Sequence, residues 1–315
     1  MDEAFRSYDL KGIMKRLAEA DAKLREAIYS DLANFGYVHI PNVVKEPDVA
    51  EIVASFRKWQ ADTPQLQKLH KDISAHGMYK FAVGQQRHAW LTRTNPGVLD
   101  IFRLLYGKDL VSSMDGSCYI PGAGPRKRET CWTHTDQAPL TKGLQCLQGL
   151  VSMTRNEECT FTLYRGSHLL HEPYFKDRVA ESPNDPKWKK NFVFIDQDFL
   201  KTIQHTYTRV AVGPGDLILW DSRLFHQNAY GTKPEERIVQ YVAFMPRGDP
   251  RNTAAMQKKR KQYFDEGRTT THRPFPLSVN GMQPQTYGDS SKLIDYSALP
   301  PPQLADLLPK IRALL

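Results

Sequence analysis

Long apolar runs and a basic leader are both missing from this sequence of 315 residues. No stretch approaches the roughly 18 consecutive apolar residues that a membrane-spanning helix requires. Acidic Asp2 and Glu3 stand where a secretory signal peptide carries basic residues. We therefore expect no membrane partner and no secretion, and we expect the cytoplasm as the compartment.

Cysteine is also scarce. The chain has four cysteines, none of them in a C-x-x-C pair. Sparse cysteines are typical of reduced thiols in the cytosol, and they favour neither a disulfide framework nor a zinc knuckle. The 40% of apolar and 25% of charged residues are ordinary for a soluble globular protein and exclude a disordered or collagenous class.

Charge is unbalanced towards the basic side, with a net charge of +8. This balance suits either nucleic-acid binding or a generally basic solvated surface, and we favour the surface. One concentrated run consists of Lys258, Lys259, Arg260 and Lys261. The run is typical of a nuclear-import signal or of the solvated face of a helix, and we favour the helix.

Helices are predicted in the first third of the chain. Apolar residues recur every three to four positions over 10–32, which predicts a helix that Gly36 ends. Residues 37–40 predict a short strand, and further helices are predicted over 46–59 and 98–106. This helix-rich lead-in is expected to extend to about residue 109.

Short β-type segments dominate from about 110 to 246. They are rich in β-branched and aromatic residues and are separated by Gly, Pro, Asn and Asp; the segments are SCYI, LQCLQGLVSMT, CTFTLY, RVAV, DLILW and RIVQYVAFM. This pattern predicts an antiparallel sandwich or barrel. The chain is thus expected to be a single domain, 1–315, that is mainly β with flanking helices.

The tail, 247–315, is rich in proline and is predicted to wrap around the barrel. A basic helix is predicted near 254–264 and an amphipathic helix from Gln303. The apolar face of that last helix needs a cover, which is either this chain's own core or a second subunit in a homodimer. Its members are Leu304, Leu307, Leu308, Ile311, Leu314 and Leu315.

His134 and Asp136 lie two positions apart at the end of an extended segment. Alternate residues of a strand point to the same face, so both side chains can bind one ion, although an H-x-D pair alone is common by chance. His226 follows the strand-like segment GDLILW and would add a third ligand if the two strands are neighbours. Two imidazoles and one carboxylate, with three open positions, form the facial set of non-haem iron(II) oxygenases.

Arg237 begins the most apolar segment of the chain. A guanidinium in such a strand requires an anionic partner, and a dicarboxylate co-substrate would supply one. Glu235 or Glu236 is the alternative partner, and the sequence leaves both interpretations open.

Four motifs in this order resemble the phytanoyl-CoA dioxygenase-like branch of the iron and 2-oxoglutarate oxygenases. They are W-x-H-x-D at 132–136, R-G-S-H at 165–168, GDLILW before His226, and Arg237 eleven residues after that histidine. The resemblance covers roughly 32–246 and leaves the tail unaccounted for.

The resemblance implies a double-stranded β-helix, a jelly-roll or cupin-like core. It also implies Fe(II) held by His134, Asp136 and His226, with Arg237 on the far carboxylate of 2-oxoglutarate. The near carboxylate and keto oxygen would chelate iron and O2 would take the remaining position, so that a C–H bond is hydroxylated with release of succinate and CO2. Related halogenating enzymes lack the carboxylate ligand, so the presence of Asp136 favours hydroxylation.

Further co-substrate contacts are proposed on the predicted strands. Gln148 is the candidate donor to 2-oxoglutarate, with Asn228 and Tyr119 behind it. A polar residue in a strand that simply faces solvent is the alternative. His168 resembles a structural position and is not expected to bind metal.

Substrate specificity is expected to lie in three loops, 70–93, 121–128 and 175–191. Arg126, Lys127 and Arg128 in the second loop suggest an acidic small molecule as the substrate, and a solvated loop is the alternative.

Two other functions stay open. One is a catalytically silent jelly-roll binding module, and the other is an oxygenase or binder that acts on nucleic acid through the basic surface.

Overall fold

The computed structural model describes residues 19–73, 75–123 and 128–315. Helices dominate the first part, as predicted, and only the first segment of the helix predicted over 10–32 lies outside the described residues. The elements are α1 (Glu19–Phe35), β1 (Tyr37–Ile40), α2 (Glu46–Asp62), α3 (Pro64–Ile73), β2 (Met78–Tyr79), α4 (Arg87–Arg93) and α5 (Pro96–Tyr106).

Local sequence explains where several of these helices begin and end. Gly36 ends α1 with φ +78°, a backbone conformation that costs glycine little. Asn95 caps α5, since its side-chain oxygen accepts a hydrogen bond of 3.0 Å from Gly97 N. Pro96 then occupies the first turn, where a missing N–H is tolerated.

Strands form most of the middle of the chain. They are β3 (Leu110–Ser112), β4 (Ser117–Ile120), β5 (His134–Thr135), β6 (Leu147–Ser152), β7 (Asn156–Tyr164), β8 (Val193–Phe194), β9 (Tyr207–Val212), β10 (Leu217–Asp221), β11 (His226–Asn228), β12 (Arg237–Val242) and β13 (Phe244–Pro246). The first sheet has the order β1-β10-β6-β12-β4-β2, the second has the order β8-β5-β11-β7-β9, and β13 and β3 form a separate pair.

The connectivity of eight of these strands defines the fold. In chain order β4, β6, β10 and β12 lie in the first sheet, whereas β5, β7, β9 and β11 lie in the second. Every pair within these sheets is antiparallel. Two facing four-stranded sheets connected in this way form a jelly roll, or double-stranded β-helix, so the predicted fold class is confirmed.

Each face of the first sheet packs against a different layer. The inner face meets the second sheet through a cluster that includes Leu150, Phe161 and Val239. The outer face, with residues such as Val151 and Leu219, packs against the helices of the lead-in. Such alternation along β6 and β10 follows from the two-residue period of a strand.

Four helices of the structure are not among those predicted from the sequence. Two of them, α4 and α6 (His171–Glu181), lie in expected specificity loops, and each buries part of its surface. The other two are α3 and α7 (Gln197–Thr202), the second of which Asp196 caps. Within the described ranges, no helix combines the length and apolar character needed to cross a membrane.

The tail contains α8 (Ala254–Asp265), close to the predicted basic helix, and α9 (Leu308–Arg312). The helix predicted from Gln303 is wrong at its start, since Pro309 can occupy only the first turn of a helix. Its apolar face packs into this chain's own core, with Ile311 fully buried. In the basic run Arg260 is buried and donates to Pro274 O and Asn252 Oδ1, while the three lysines are exposed.

Candidate active site

His134 and His226 are direct partners across two antiparallel strands. They begin β5 and β11, which pair at this position, and their ring centroids lie 4.4 Å apart. Asp136 follows β5 and places its carboxylate oxygens 3.4 Å from His226 Nε2 and 3.7 Å from His134 Nε2. One ligand atom from each residue lies within 4.8 Å of the others, so the structure brings the three predicted ligands together.

Hydrogen bonds orient both imidazoles. His134 Nδ1 lies 3.1 Å from Trp132 O, and His226 Nδ1 lies 2.9 Å from Leu224 O. A carbonyl oxygen can only accept, so each Nδ1 carries the proton and each Nε2 presents a lone pair. This arrangement of a donated N–H and a free ring nitrogen is usual for histidines that bind metals.

The charge states also suit a cation. Burial, together with the neighbouring His226, lowers the pKa of His134 to about 3, so this imidazole is neutral near pH 7. Burial works against ionisation of Asp136, but the surrounding histidines, His134 and His272 first among them, hold the pKa of its carboxyl below the ordinary value. Neutral imidazoles and an ionised carboxylate are the protonation states that metal binding requires.

Two buried groups hold the strands that carry the ligands. Gln227 Oε1 accepts hydrogen bonds from Trp132 N at 2.9 Å and from Thr133 Oγ1 at 2.8 Å. Ser167, in the R-G-S-H turn, accepts a hydrogen bond of 2.8 Å from Phe225 N, directly before His226. His168 of the same turn lies 3.2 Å from Ala33 O and stands apart from the three ligands, as predicted.

A cavity of about 650 Å³ opens over the triad. Its walls include Trp132, Phe161 and Trp220 beside the imidazoles. The expected specificity loops contribute His76, Lys80, Lys190 and Asn191, and Phe192 follows directly after the last loop. In the remaining loop, Arg126 and Lys127 lie outside the described residues.

Arg237 is fully buried, with 1% of its surface exposed. None of its three guanidinium nitrogens has a hydrogen-bond partner among the described residues. Glu236 pairs instead with Arg57, and Glu235 accepts from the backbone N–H groups of residues 157–159. The alternative in which a neighbouring glutamate neutralises Arg237 is therefore wrong.

Two further donors on the same sheet lack partners. Gln148 and Trp220 are cross-strand neighbours that line the cavity, and neither Gln148 Nε2 nor Trp220 Nε1 finds an acceptor among the described residues. Asn228 also lines the cavity and donates a hydrogen bond of 3.0 Å to Tyr241 Oη.

Tyr119 does not fit the co-substrate role expected from the sequence. Its hydroxyl lies on the outer face of the sheet, where it donates a hydrogen bond of 3.2 Å to Glu236 and accepts one from Arg57. The physical reason is strand alternation, because the adjacent Cys118 occupies the inner face.

Sequence reasoning missed the contribution of the tail. Thr271, His272 and Arg273 line the cavity, although they lie more than 25 residues beyond the last strand of the barrel. In the sequence, His272 has no partner at the spacing of a metal site. No local spacing signals these residues, since only the path of the tail brings them to the triad.

Comparison with known proteins gives one family match and several structural similarities. The family model described as phytanoyl-CoA dioxygenase (PhyH) matches residues 32–230. A curated relative, "Ava biosynthesis cluster protein O" from Aspergillus versicolor, is 30% identical over 209 residues, which span 63% of this chain and 66% of the relative, just under two thirds of its length.

Two solved structures illustrate the structural similarities. The epimerase SnoN in complex with Fe3+, alpha ketoglutarate and nogalamycin RO is 16% identical, with coverage of 71% of this chain and 84% of SnoN at a TM-score of 0.49. EctD from S. alaskensis with bound Fe is 16% identical, with coverage of 73% and 77% at a TM-score of 0.48. Both scores are below 0.5, so the family assignment rests on sequence alone.

Proposed function

We propose that this chain, a member of the phytanoyl-CoA dioxygenase family, is a 2-oxoglutarate-dependent dioxygenase that hydroxylates a C–H bond of a small organic molecule. The substrate proposal is also consistent with the curated relative, whose name places it in a biosynthesis cluster. The balanced reaction is R–H + O2 + 2-oxoglutarate → R–OH + succinate + CO2.

We assign metal binding to His134, Asp136 and His226. Two neutral nitrogen donors and one carboxylate match the facial set of mononuclear iron(II) sites, which leaves positions for co-substrate and O2. Iron bound there would supply the redox chemistry that couples O2 to oxidative decarboxylation of 2-oxoglutarate. The protein's own task is to keep both Nε2 atoms unprotonated and to hold them against the carboxylate.

The proposal that 2-oxoglutarate binds at this site rests on three buried hydrogen-bond donors. Arg237, Gln148 and Trp220 lie on the neighbouring strands β12, β6 and β10 and have no acceptor among the described residues. An unsatisfied buried donor costs about 1–3 kcal/mol, and more when it is charged. A dicarboxylate would satisfy these groups, with the Arg237 guanidinium binding its far carboxylate as a fork.

The two other functions have less support. A catalytically silent binding module does not require three metal-binding side chains, nor two histidines whose Nδ1 hydrogen bonds to backbone carbonyls leave both Nε2 atoms free. For nucleic-acid binding through the basic run, one of the four cations is inaccessible to a phosphate backbone, because Arg260 is buried. A small-molecule substrate also suits a cavity of about 650 Å³.

The test measures succinate formation and co-substrate binding with Fe(II). We expect the wild type to release succinate from 2-oxoglutarate in air and, without O2, to develop a metal-to-ligand charge-transfer absorption on addition of 2-oxoglutarate. Asp136→Ala should lose both signals because the third ligand is gone, whereas Asp198→Ala, on exposed α7, should keep both. A wild type that neither binds 2-oxoglutarate nor forms succinate contradicts the proposal.

Arg237→Gln provides a separate test of the co-substrate site. Loss of the guanidinium should weaken 2-oxoglutarate binding about 100-fold or more, while Fe(II) binding persists. Arg103→Gln removes an equal charge from the exposed side of α5 and should change neither quantity. Equal 2-oxoglutarate affinity in Arg237→Gln and wild type would remove Arg237 from the site.

A further inference from the structure

A segment of the tail, residues 268–280 and called the strap below, forms part of the cavity wall. Thr270 anchors it to Met114 by two hydrogen bonds of 2.8 Å, one in each direction. Thr269 Oγ1 accepts a third, of 2.9 Å, from Gly84 N. The strap lies beyond residue 230, where the family match ends, so it is a feature of this chain outside the matched region.

Arg273 is the buried cation of the strap. Its residue is 6% exposed, it lines the cavity, and Nη2 donates a hydrogen bond of 3.2 Å to the backbone oxygen of Asp136. Among the described residues its Nε has no hydrogen-bond partner, and none of their carboxylates forms an ion pair with Arg273. A buried guanidinium beside the metal ligands that no carboxylate contacts directly is suited to an incoming anion.

The other charges of the cavity point to the same class of ligand. Lys80, Lys190 and Arg273 are cationic, whereas Asp115 and Asp136 are the two carboxylates in the wall. Asp136 is assigned to the metal, which leaves Asp115 as the single carboxylate against three cations among the described residues of the wall. The wall therefore has an excess of positive charge before a substrate binds.

Two exposed aromatic rings lie at the same cavity. Phe192 and Phe194 are 45% and 60% exposed, and their ring centroids are 5.0 Å apart. The Phe192 ring lies 4.4 Å from that of His134, so this apolar surface adjoins the metal ligands. Large exposed apolar groups beside a cavity are typical of ligand contacts.

We propose that Arg273 determines substrate specificity by binding the carboxylate of an organic acid whose apolar body contacts Phe192 and Phe194. This inference rests on the proposed oxygenase function and specifies its substrate class. Arg237 has a different place, since it is fully buried at the start of β12 in the first sheet, whereas Arg273 lies on the strap. The two arginines thus serve two carboxylates, one of the co-substrate and one of the substrate.

The experiment compares a charged probe with its neutral counterpart, 2-naphthoate with 2-naphthamide. Each is titrated into Zn(II)-loaded protein saturated with 2-oxoglutarate, and binding is followed by calorimetry and ligand-observed NMR. The wild type should bind 2-naphthoate about tenfold or more tightly than 2-naphthamide, because a charge-assisted hydrogen bond is lost in the amide. Arg273→Gln should bind both probes equally.

Matched variants separate recognition of charge from general damage. Arg268→Gln removes an equal charge from the strap at a residue that does not line the cavity, and it should keep the preference for 2-naphthoate. Phe192→Ala should weaken both probes to a similar extent and leave the preference intact. Zn(II) content and thermal unfolding are measured for every variant, so that a misfolded protein is recognised.

Three results would overturn the inference. They are a wild type that fails to bind 2-naphthoate, a wild type without preference between the probes, and an Arg273→Gln variant that keeps the wild-type preference. Anaerobic titration of the Fe(II) proteins adds a fourth, since loss of 2-oxoglutarate binding in Arg273→Gln to the degree seen in Arg237→Gln would assign Arg273 to the co-substrate. A wild type that prefers 2-naphthoate but binds no 2-oxoglutarate would support Arg273 and contradict the proposed function.

Discussion

At the scale of single residues, the site depends on groups that touch no metal. Gln227 joins the segment before His134 to the strand that carries His226, through hydrogen bonds to Trp132 N and Thr133 Oγ1. No sequence pattern singles it out, since a glutamine after a histidine has no distinctive spacing. Its burial and its two acceptor bonds make it a positioning residue for the facing imidazoles.

Gln227→Leu should therefore lower metal affinity without removing a ligand. We expect about a tenfold loss or more, as is common when groups that orient ligands are removed. Competition with a chelator for Co(II) measures the affinity, and the Co(II) absorption spectrum reports the ligand geometry. Gln262→Leu on the exposed face of α8 is the control, and equal affinities of the two variants would contradict the positioning role.

At the scale of elements, the helical lead-in contains neutral histidines packed against the first sheet. His70 on α3 stacks on Tyr79 with ring centroids 4.1 Å apart, and His88 on α4 lies 3.3 Å from Ser117 Oγ. Burial lowers the pKa of each imidazole to about 3. Protonation of either one is therefore more favourable in the unfolded chain than in this helical layer.

The stability of the protein should fall in mild acid for this reason. The unfolded pKa is about 6.5, so the stabilisation is complete above that pH and is lost as the pH falls towards 3. Each histidine should lower the free energy of unfolding by up to about 1.5 kcal/mol between pH 6.5 and 5. Urea unfolding across this range measures the slope, and His70→Phe should make it shallower. Identical slopes would contradict this explanation.

The anchoring of the strap is a second question at the element scale. Thr270 is fully buried and accepts the hydrogen bond from Met114 N. Thr270→Val would leave that buried N–H unsatisfied, with an expected loss of about 1–3 kcal/mol in the free energy of unfolding. Urea unfolding gives the value, limited proteolysis shows whether the strap opens, and exposed Thr202→Val provides the comparison. If Thr270→Val is as stable as Thr202→Val, then Thr270 does not anchor the strap.

At the scale of the whole molecule, the last residues of the chain close the core built by the first helices. Ile311, Leu314 and Leu315 belong to the same buried cluster as Ile28 and Phe56. Ser112 N also donates a hydrogen bond of 3.0 Å to Leu314 O. The apolar face of the last helix was expected to pack either on this chain's own core or on a second subunit. Packing on the chain's own core is therefore sufficient to explain its burial.

Ile311→Ala tests this closure. The side chain is fully buried, so its truncation should lower the free energy of unfolding by about 2–5 kcal/mol through lost burial and a residual cavity. Leu293→Ala, at a side chain that is 55% exposed, should change it by no more than about 0.5 kcal/mol. Denaturant unfolding of both variants measures these changes. A small change in the free energy of unfolding for Ile311→Ala would show that the terminal segment contributes little to the core.

Local patterns in the sequence were sufficient for much of this protein. The period of two places His134 and Asp136 on one face, and the segments that alternate with turns predict the antiparallel core around them. The motif order around His226 and Arg237 then carries the family resemblance. Each of these inferences depends on residues close together in the chain, or on strands whose pairing the fold class already implies.

Tertiary structure alone decided the rest. It placed Tyr119 on the outer face, gave Glu235 and Glu236 other partners, and brought Arg273 to the cavity. Arg237 is thereby left without a hydrogen-bond partner in the part of the chain that the structure describes. These outcomes depend on contacts between residues far apart in sequence, such as Thr270 with Met114. The periodicity of a segment does not encode such contacts, because they depend on how the whole chain packs and therefore on which distant side chains lie beside a buried group.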